Sequence, residues 1–322
     1  MKKLIPLAAA AALLLTACSS GNYAATEIPA KPAPSVASVA PPAAQPNCGN
    51  PLASYQPDGA LPAPGTMPAG TTMAKIKQRG RLIAGVSADS FNLGYRNPVT
   101  GQIVGFDIDM INAVADAIFG APATGQPHKV ELRVISSPQR IPTLQAGSVD
   151  IVARNMTINC ARWQQIAFSA EYYRSGQKTL VQLDSPAKTV ADLSGKTICA
   201  PAGSTSLDNL KKRNPAVKPI TANTDTGCLV LFQQGKADGI SGDDTVLAGD
   251  VAQDPYAKVL DERFSEEPYG LGIPKQNVDF VKFVNGVLAQ MKADGSWMTS
   301  YNKWLKPALG ELKAPPTPVY GR

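Results

Sequence analysis

A single histidine, His128, stands in 322 residues, and the five cysteines include no Cys-x-x-Cys pair. Zinc sites draw on those ligands at close spacing, so metal is set aside and no cofactor is expected. His128 lies between Pro127 and Lys129, in a segment that reads as an exposed loop. Neither Gly-x-Ser-x-Gly nor Gly-x-x-x-x-Gly-Lys occurs, which removes the hydrolase nucleophile elbow and the nucleotide phosphate loop. Charge is also sparse. Charged residues make up 17% of the chain, and the net +6 is scattered, with Lys211, Lys212 and Arg213 as its densest group. A nucleic-acid groove needs a basic stripe. A scattered excess reads as an ordinary solvated surface, with a mild bias toward small anionic ligands.

Long apolar runs are missing as well. Leu4 to Leu15, preceded by Lys2 and Lys3, is too short to span a bilayer unaided and reads as the core of an export signal. Its end, Leu15-Thr16-Ala17-Cys18, resembles the lipobox of bacterial lipoproteins, in which cleavage leaves a lipidated Cys18. The competing reading is ordinary secretory cleavage before an unrelated cysteine; the small residues directly preceding Cys18 favour the lipoprotein. Four cysteines remain, an even number that in an exported chain points to disulfides. Cys199–Cys228 would close a loop within the second half, and Cys48–Cys160 would tie the N-terminal segment to the first. Eleven prolines fall between Pro29 and Pro68, so residues 19–72 read as a Pro/Ala-rich tether with no packed core.

What the chain does have is a repeat. Leu144 to Arg162 is echoed 88 residues later by Phe232 to Thr245. Gln145, Gly147, Asp150 and Thr157 recur as Gln233, Gly235, Asp238 and Thr245, with Asn155 opposite Asp243. In each copy a helical pattern stops at a glycine, a short strand follows, and a polar cluster stands at its C-terminal end. Ligands of open α/β sheets bind just beyond those ends. Two copies predict two α/β lobes whose polar clusters face one another. The remaining pattern agrees: strands at Arg81–Val86, Val130–Ile135, Lys196–Ala200 and Tyr269–Ile273, and a helix capped by Asp107. The clearest helix is Asp279–Ala293, with Phe280, Phe283, Val284, Val287, Leu288 and Met291 on one face.

Candidate binding residues follow from this arrangement. Arg162 lies a few residues past the first cluster, and its planar guanidinium suits a carboxylate; a surface salt bridge is an equal reading. Gly203, Ser204 and Thr205 open a helix, where backbone N–H groups attract anions. Capping of that helix by Ser204 or Thr205 is compatible with such a role. Asp243 suits an ammonium group, with Asp244 as its rival. Arginine, helix amides and a carboxylate together make a receptor for a zwitterion.

Several segments carry a family likeness. They are Gly105-Phe106-Asp107-Ile108-Asp109, Asn155-Met156-Thr157-Ile158 with Arg162, Ala167-Phe168-Ser169, Ala202-Gly203-Ser204-Thr205, and Lys292-Ala293-Asp294-Gly295 with Lys303-Trp304. From Met73 to Lys306 the chain resembles family 3 of the bacterial extracellular solute-binding proteins, the polar amino-acid receptors of ABC importers. The resemblance implies an α/β two-lobed clamshell of the type II periplasmic binding-protein kind, each lobe a mixed sheet flanked by helices. Its boundaries would be a leader at 1–18, the tether at 19–72, a discontinuous first lobe at 73–173 and 269–306, a second lobe at 174–268, and a tail at 307–322.

By the same resemblance, Arg162 binds the ligand α-carboxylate with Thr157 and the Ser204-Thr205 loop, while Asp243 and Asn155 hold the α-ammonium. Phe91 stacks on the ligand, with Tyr95 as the alternative. Arg140 lies in a segment like that of glutamate/aspartate-binding members, and Arg154 adds a further cation. These favour an acidic side chain over glutamine or asparagine unless either arginine pairs with a protein acid such as Glu171. The expected partners are an L-amino acid, an ABC permease and, through Cys18, a membrane, with the receptor a monomer on the extracytoplasmic face. A sensory module signalling to a membrane partner, and a dehydratase or lyase on the same fold, are the alternatives.

Overall fold

Two sheets built on one plan account for most of the chain. The computed structural model describes residues 46–322; the leader, Cys18 and the first part of the expected tether lie outside the described residues. In chain order the first lobe contributes β1 (Leu82–Val86), α1 (Phe106–Phe119), β2 (Val130–Val134), α2 (Arg140–Gln145), β3 (Ile151–Ala153), α3 (Cys160–Trp163) and β4 (Ala167–Phe168). The long strand β5 (Tyr173–Gln182) then crosses to the second lobe. There follow β6 (Thr197–Pro201), α4 (Thr205–Arg213), β7 (Lys218–Ala222), α5 (Asp225–Gln233), β8 (Gly239–Asp243), α6 (Asp244–Gln253) and β9 (Ala257–Val259). Strand β10 (Ser265–Tyr269) runs back antiparallel to β5 and leads into β11 (Gly272–Ile273), α7 (Val278–Asp294) and α8 (Ser296–Trp304).

The first sheet has the order β2-β1-β3-β11-β4 and the second β7-β6-β8-β5-β9, with β10 also on β5. In both, three parallel strands are extended by an antiparallel one. The repeated sequence has the same task in each lobe. Gly147 and Gly235 take φ of 62° and 66°, the left-handed region that glycine enters without a Cβ penalty. Asp150 donates its N–H to the Ile83 carbonyl and accepts the Ile83 N–H on Oδ2, both at 2.8 Å. Asp238 does the same with Thr197, both at 2.7 Å. Each aspartate therefore ties the third strand's approach to the central strand.

Helix α7 buries Phe280, Phe283, Val284, Val287, Leu288 and Met291 against the first lobe, as the periodicity predicts, and ends at Gly295 with φ 83°. Both disulfides form as expected, Cys48–Cys160 and Cys199–Cys228. Two expectations are corrected. Residues 46–72, read as a spacer, pack on the first lobe, and the expected tail pairs with them: Ala53–Ser54 and Val319–Tyr320 form a parallel ladder. Ser54 is fully buried and donates to the Phe168 carbonyl at 2.8 Å, and Met67 is buried. Proline content forbids regular structure here but not attachment, and the disulfide plus these contacts supply it. Asp107 does not cap α1. Gly105 holds that position, and the Asp107 side chain turns inward, buried, within the first helical turn.

Candidate functional site

The carboxyl ends of β3 and β8 point at one another, and the polar clusters beyond them meet. Lobe-to-lobe hydrogen bonds surround the junction: Ser90 Oγ donates to Asp225 Oδ2 at 2.6 Å, Thr226 Oγ1 to the Asp89 carbonyl at 2.7 Å, and Ser137 N to the Asn223 carbonyl at 3.0 Å. They enclose a cavity of about 20 Å³ lined by Arg140, Asn155, Thr157, Ser204, Thr205 and Asp243, room for about one water. A wider concavity of about 710 Å³ opens on the outer side of the first lobe, between Leu61–Pro64 and α1, α7 and α8. It lies within one lobe and away from the facing strand ends, so the interlobe cavity is the candidate site.

Asn155 takes φ 36°, a left-handed conformation that asparagine tolerates better than most side chains. Its N–H donates to Asp107 Oδ2 at 3.0 Å, and its carbonyl accepts from Arg140 Nη1 at 3.3 Å. Its Oδ1 is buried without a hydrogen-bond partner among the described residues, leaving an acceptor at the cavity. Asp107 also accepts the Tyr172 hydroxyl at 2.7 Å. Burial raises the Asp107 carboxyl to about 6 against the opposing pull of these two hydrogen bonds.

Arg140 is buried and, among the described residues, donates only to carbonyls: those of Ser137 at 2.9 Å, Arg154 at 3.2 Å, Asn155 at 3.3 Å and Gly203 at 3.3 Å. Arg162, buried beside the cavity rather than on its wall, donates to the Thr157 carbonyl at 2.7 Å and to the same Gly203 carbonyl at 3.3 Å. Among the described residues neither guanidinium lies within ion-pair distance of an acid. Burial lowers both from the usual arginine range; Arg162 and then Arg154 lower Arg140 further, while Glu267 and Asp243 partly restore Arg162. Opposite them, Asp243 Oδ2 accepts the Tyr269 hydroxyl at 2.7 Å. Burial and then the Glu267 carboxylate push Asp243 well above the usual carboxylate range.

Helix α4 starts at this cavity. Ser204 caps it, accepting the Leu207 N–H at 3.1 Å while donating to the Pro201 carbonyl at 2.6 Å. The Thr205 and Thr157 hydroxyl oxygens stand 3.1 Å apart across the lobes.

Several expected contacts fall elsewhere. Arg154 is fully buried behind the cavity wall, donating to the Ile135 carbonyl at 3.0 Å and to Ser137 Oγ, with Asp225 at 3.7 Å and Asp89 at 3.9 Å. Its guanidinium is held by these groups, and Arg154 does not line the cavity. Phe91 does not line the cavity: its ring tilts against Tyr95 at 4.8 Å, and a Cβ added to Gly249 would come within 3.0 Å of its own Cβ. Tyr95 packs its edge on Trp304. The Gly203 carbonyl accepts from both Arg140 and Arg162. Glu171 pairs with Arg174 rather than with either cavity arginine. Conversely, Ser137, Ser206, Asp225 and Val246 line the cavity unannounced. Ser206 is the second residue of α4, directly after Thr205, and Asp225 follows the Thr224 cap of α5, where an acid reads as ordinary helix-start chemistry.

Residues 82–307 match the sequence model of the bacterial extracellular solute-binding proteins, family 3. A glutamine-binding protein of Geobacillus stearothermophilus is 39% identical over 216 residues, covering 66% of this chain and 80% of its own length. The glutamate-binding protein GluB of Corynebacterium efficiens is 31% identical over 260 residues, covering 78% and 86%. Among solved structures, a mutant ArgBP from T. maritima aligns with a TM-score of 0.66 at 28% identity, covering 73% of this chain and 99% of that one. These relatives are binding proteins, and the shared architecture is the type II periplasmic binding-protein clamshell. Among the described residues no helix is long and apolar enough to cross a membrane.

Proposed function

This chain belongs to family 3 of the bacterial extracellular solute-binding proteins, and on that premise we propose that it is the amino-acid receptor of an ABC importer, selective for L-glutamate or L-aspartate. One observation carries the choice of ligand. Two buried guanidinium groups, Arg140 and Arg162, share a carbonyl acceptor and lie beyond ion-pair distance of any described acid. A buried cation without a counter-ion is costly, and a dicarboxylic amino acid brings two. In this reading Arg162 takes the α-carboxylate, aided by the N-terminus of α4, and Arg140 takes the side-chain carboxylate. Asp243 and Asn155 Oδ1 accept the ammonium.

The cavity is too small for an amino acid, so the lobes part at β5 and β10 and close again around the ligand. Ligand contacts to both lobes shift the population toward closure, and the closed form is what a permease engages. The receptor acts as a monomer, held to the envelope by lipid on Cys18, with residues 19–45 as spacer. Its chemistry is binding and release, without turnover.

A thermal-shift screen of the twenty amino acids, followed by calorimetry, tests this. L-Glutamate and L-aspartate should stabilise the protein most. Arg140→Ala should weaken glutamate by about 2–5 kcal/mol and glutamine far less. Equal losses for the two ligands would remove Arg140 from side-chain selection.

A further inference from the structure

No motif singled out Glu267, yet it occupies the junction of the lobes. It lies on the returning strand β10 and is 1% exposed. Its Oε2 accepts the hydroxyls of Thr157 at 2.6 Å and Thr205 at 2.7 Å. Its Oε1 accepts the Ser265 hydroxyl at 2.6 Å and the Asn209 amide at 2.9 Å. A carboxylate offers about four lone-pair sites, so these four donors satisfy it. Thr157 comes from the first lobe and Thr205 from the second, and both line the cavity. The carboxylate thus does for the two lobes what a ligand does: it gives each a partner in the same place.

We infer that Glu267 is a positioning residue of the binding site, bridging Thr157 to Thr205 and fixing which face of each hydroxyl the ligand meets. A hydroxyl has one proton to donate and two lone pairs. With both protons committed to Oε2, each threonine presents only lone pairs to the cavity. A ligand group that reaches them must be a donor, and a carboxylate placed there is repelled. The inference rests on the amino-acid reading and deepens it. The ammonium end belongs with the two threonine hydroxyl oxygens, Asn155 Oδ1 and Asp243, and the carboxylates with the arginines and the backbone N–H groups that open α4. Freed from Glu267, the threonine protons could rotate toward the cavity and oppose the ammonium.

The test has one arm with ligand and one without. Glu267→Gln keeps the shape but turns half of the acceptor set into a donor. By calorimetry its affinity for L-glutamate should fall at least tenfold. In a Thr157→Val/Thr205→Val background the same change should cost less than twofold, because the hydroxyls it acts through are gone. A merely structural role would lower the melting temperature and weaken binding by the same factor in both backgrounds, and that result overturns the inference. So does unchanged affinity in the single variant.

The second arm is methyl NMR of the protein without added amino acid. A Thr157–Thr205 methyl contact should be present in the wild type and lost in Glu267→Gln. Its persistence in the variant overturns the bridge even if the ligand screen returns no amino acid, which would instead count against the receptor reading. Should Glu267→Gln not fold, Glu267→Asp, whose carboxylate ends one methylene short, carries the same expectations in both arms.

Discussion

The two lobes share a strand order and differ in what holds each together. The first has one continuous apolar core, into which α7 and α8 return from the C-terminal part of the chain; Trp297, Tyr301, Phe106, Tyr172 and Phe280 are all essentially inaccessible. The second divides its apolar side chains between two smaller clusters, one around Leu229 and Phe232, the other around Ile198 and Leu210. The disulfides follow that difference. Cys199 and Cys228 are fully buried and join β6 to α5 inside the smaller core, whereas Cys48–Cys160 fastens a peripheral segment to a lobe already well packed. Burial of apolar area scales with the size of the core, so a small lobe gains more from a covalent link within it. The same difference suits a hinged receptor, in which a large lobe carries residues 46–72 and the C-terminal segment paired with them, and a lighter lobe moves.

Removing each disulfide breaks the comparison most directly. Cys199→Ser/Cys228→Ser should cost about 2–4 kcal/mol and raise hydrogen exchange throughout β6, β8 and α5 while β1 and α7 stay protected. Cys48→Ser/Cys160→Ser should instead expose residues 46–72 and leave both sheets protected. Uniform loss of protection in either variant would show that the lobes unfold as one unit.

The next effect is confined to the first lobe and depends on pH. Burial raises Asp107 from 3.8 to about 6. Below 3.8 the carboxyl is protonated whether the chain is folded or not, and contributes nothing. Between 3.8 and 6 the folded form holds the proton and the unfolded form does not, so stability falls as pH rises, by up to about 3 kcal/mol, and the loss is complete above 6. Denaturant titrations of Asp107→Asn across pH 4 to 7 should show that slope removed. A variant with the wild-type slope would place the titration elsewhere.

The smallest effect sharpens the likeness rather than the difference. Asp150→Ala and Asp238→Ala each delete a carboxylate that accepts a central-strand N–H, and each should cost about 1 kcal/mol. Asp150 also pairs with Arg79, so a modestly larger loss in the first lobe fits. A loss in one lobe alone, read by equilibrium unfolding, would mean that the repeat is not a shared device.

Much of this architecture is written locally. The glycine after each helix, the aspartate three residues later and the short apolar run beyond form a pattern that backbone geometry requires, so both lobes are visible in the sequence. The 3.6-residue spacing of Phe280 to Met291 likewise marks α7, because one face must be apolar wherever it packs. The site is legible in part for the same reason: Asn155, Thr157, Ser204, Thr205 and Asp243 sit at element ends that the topology brings to one cavity. Arg154 and Phe91 show the limit. Each is the right kind of residue close to the right place, and its direction is set by neighbours that no spacing rule contains.

The places of the strands and helices along the chain and the residue types available to a cleft are properties of the sequence alone, because local backbone preference and apolar period depend on nearest neighbours. Only the tertiary structure decides that Glu267, 110 residues from Thr157, accepts the hydrogen bond of its hydroxyl, that Asp107 turns inward beneath Asn155, and that residues 46–72 lie on the body. Those outcomes depend on which buried polar groups find partners, and a partner far along the chain is chosen by packing in three dimensions.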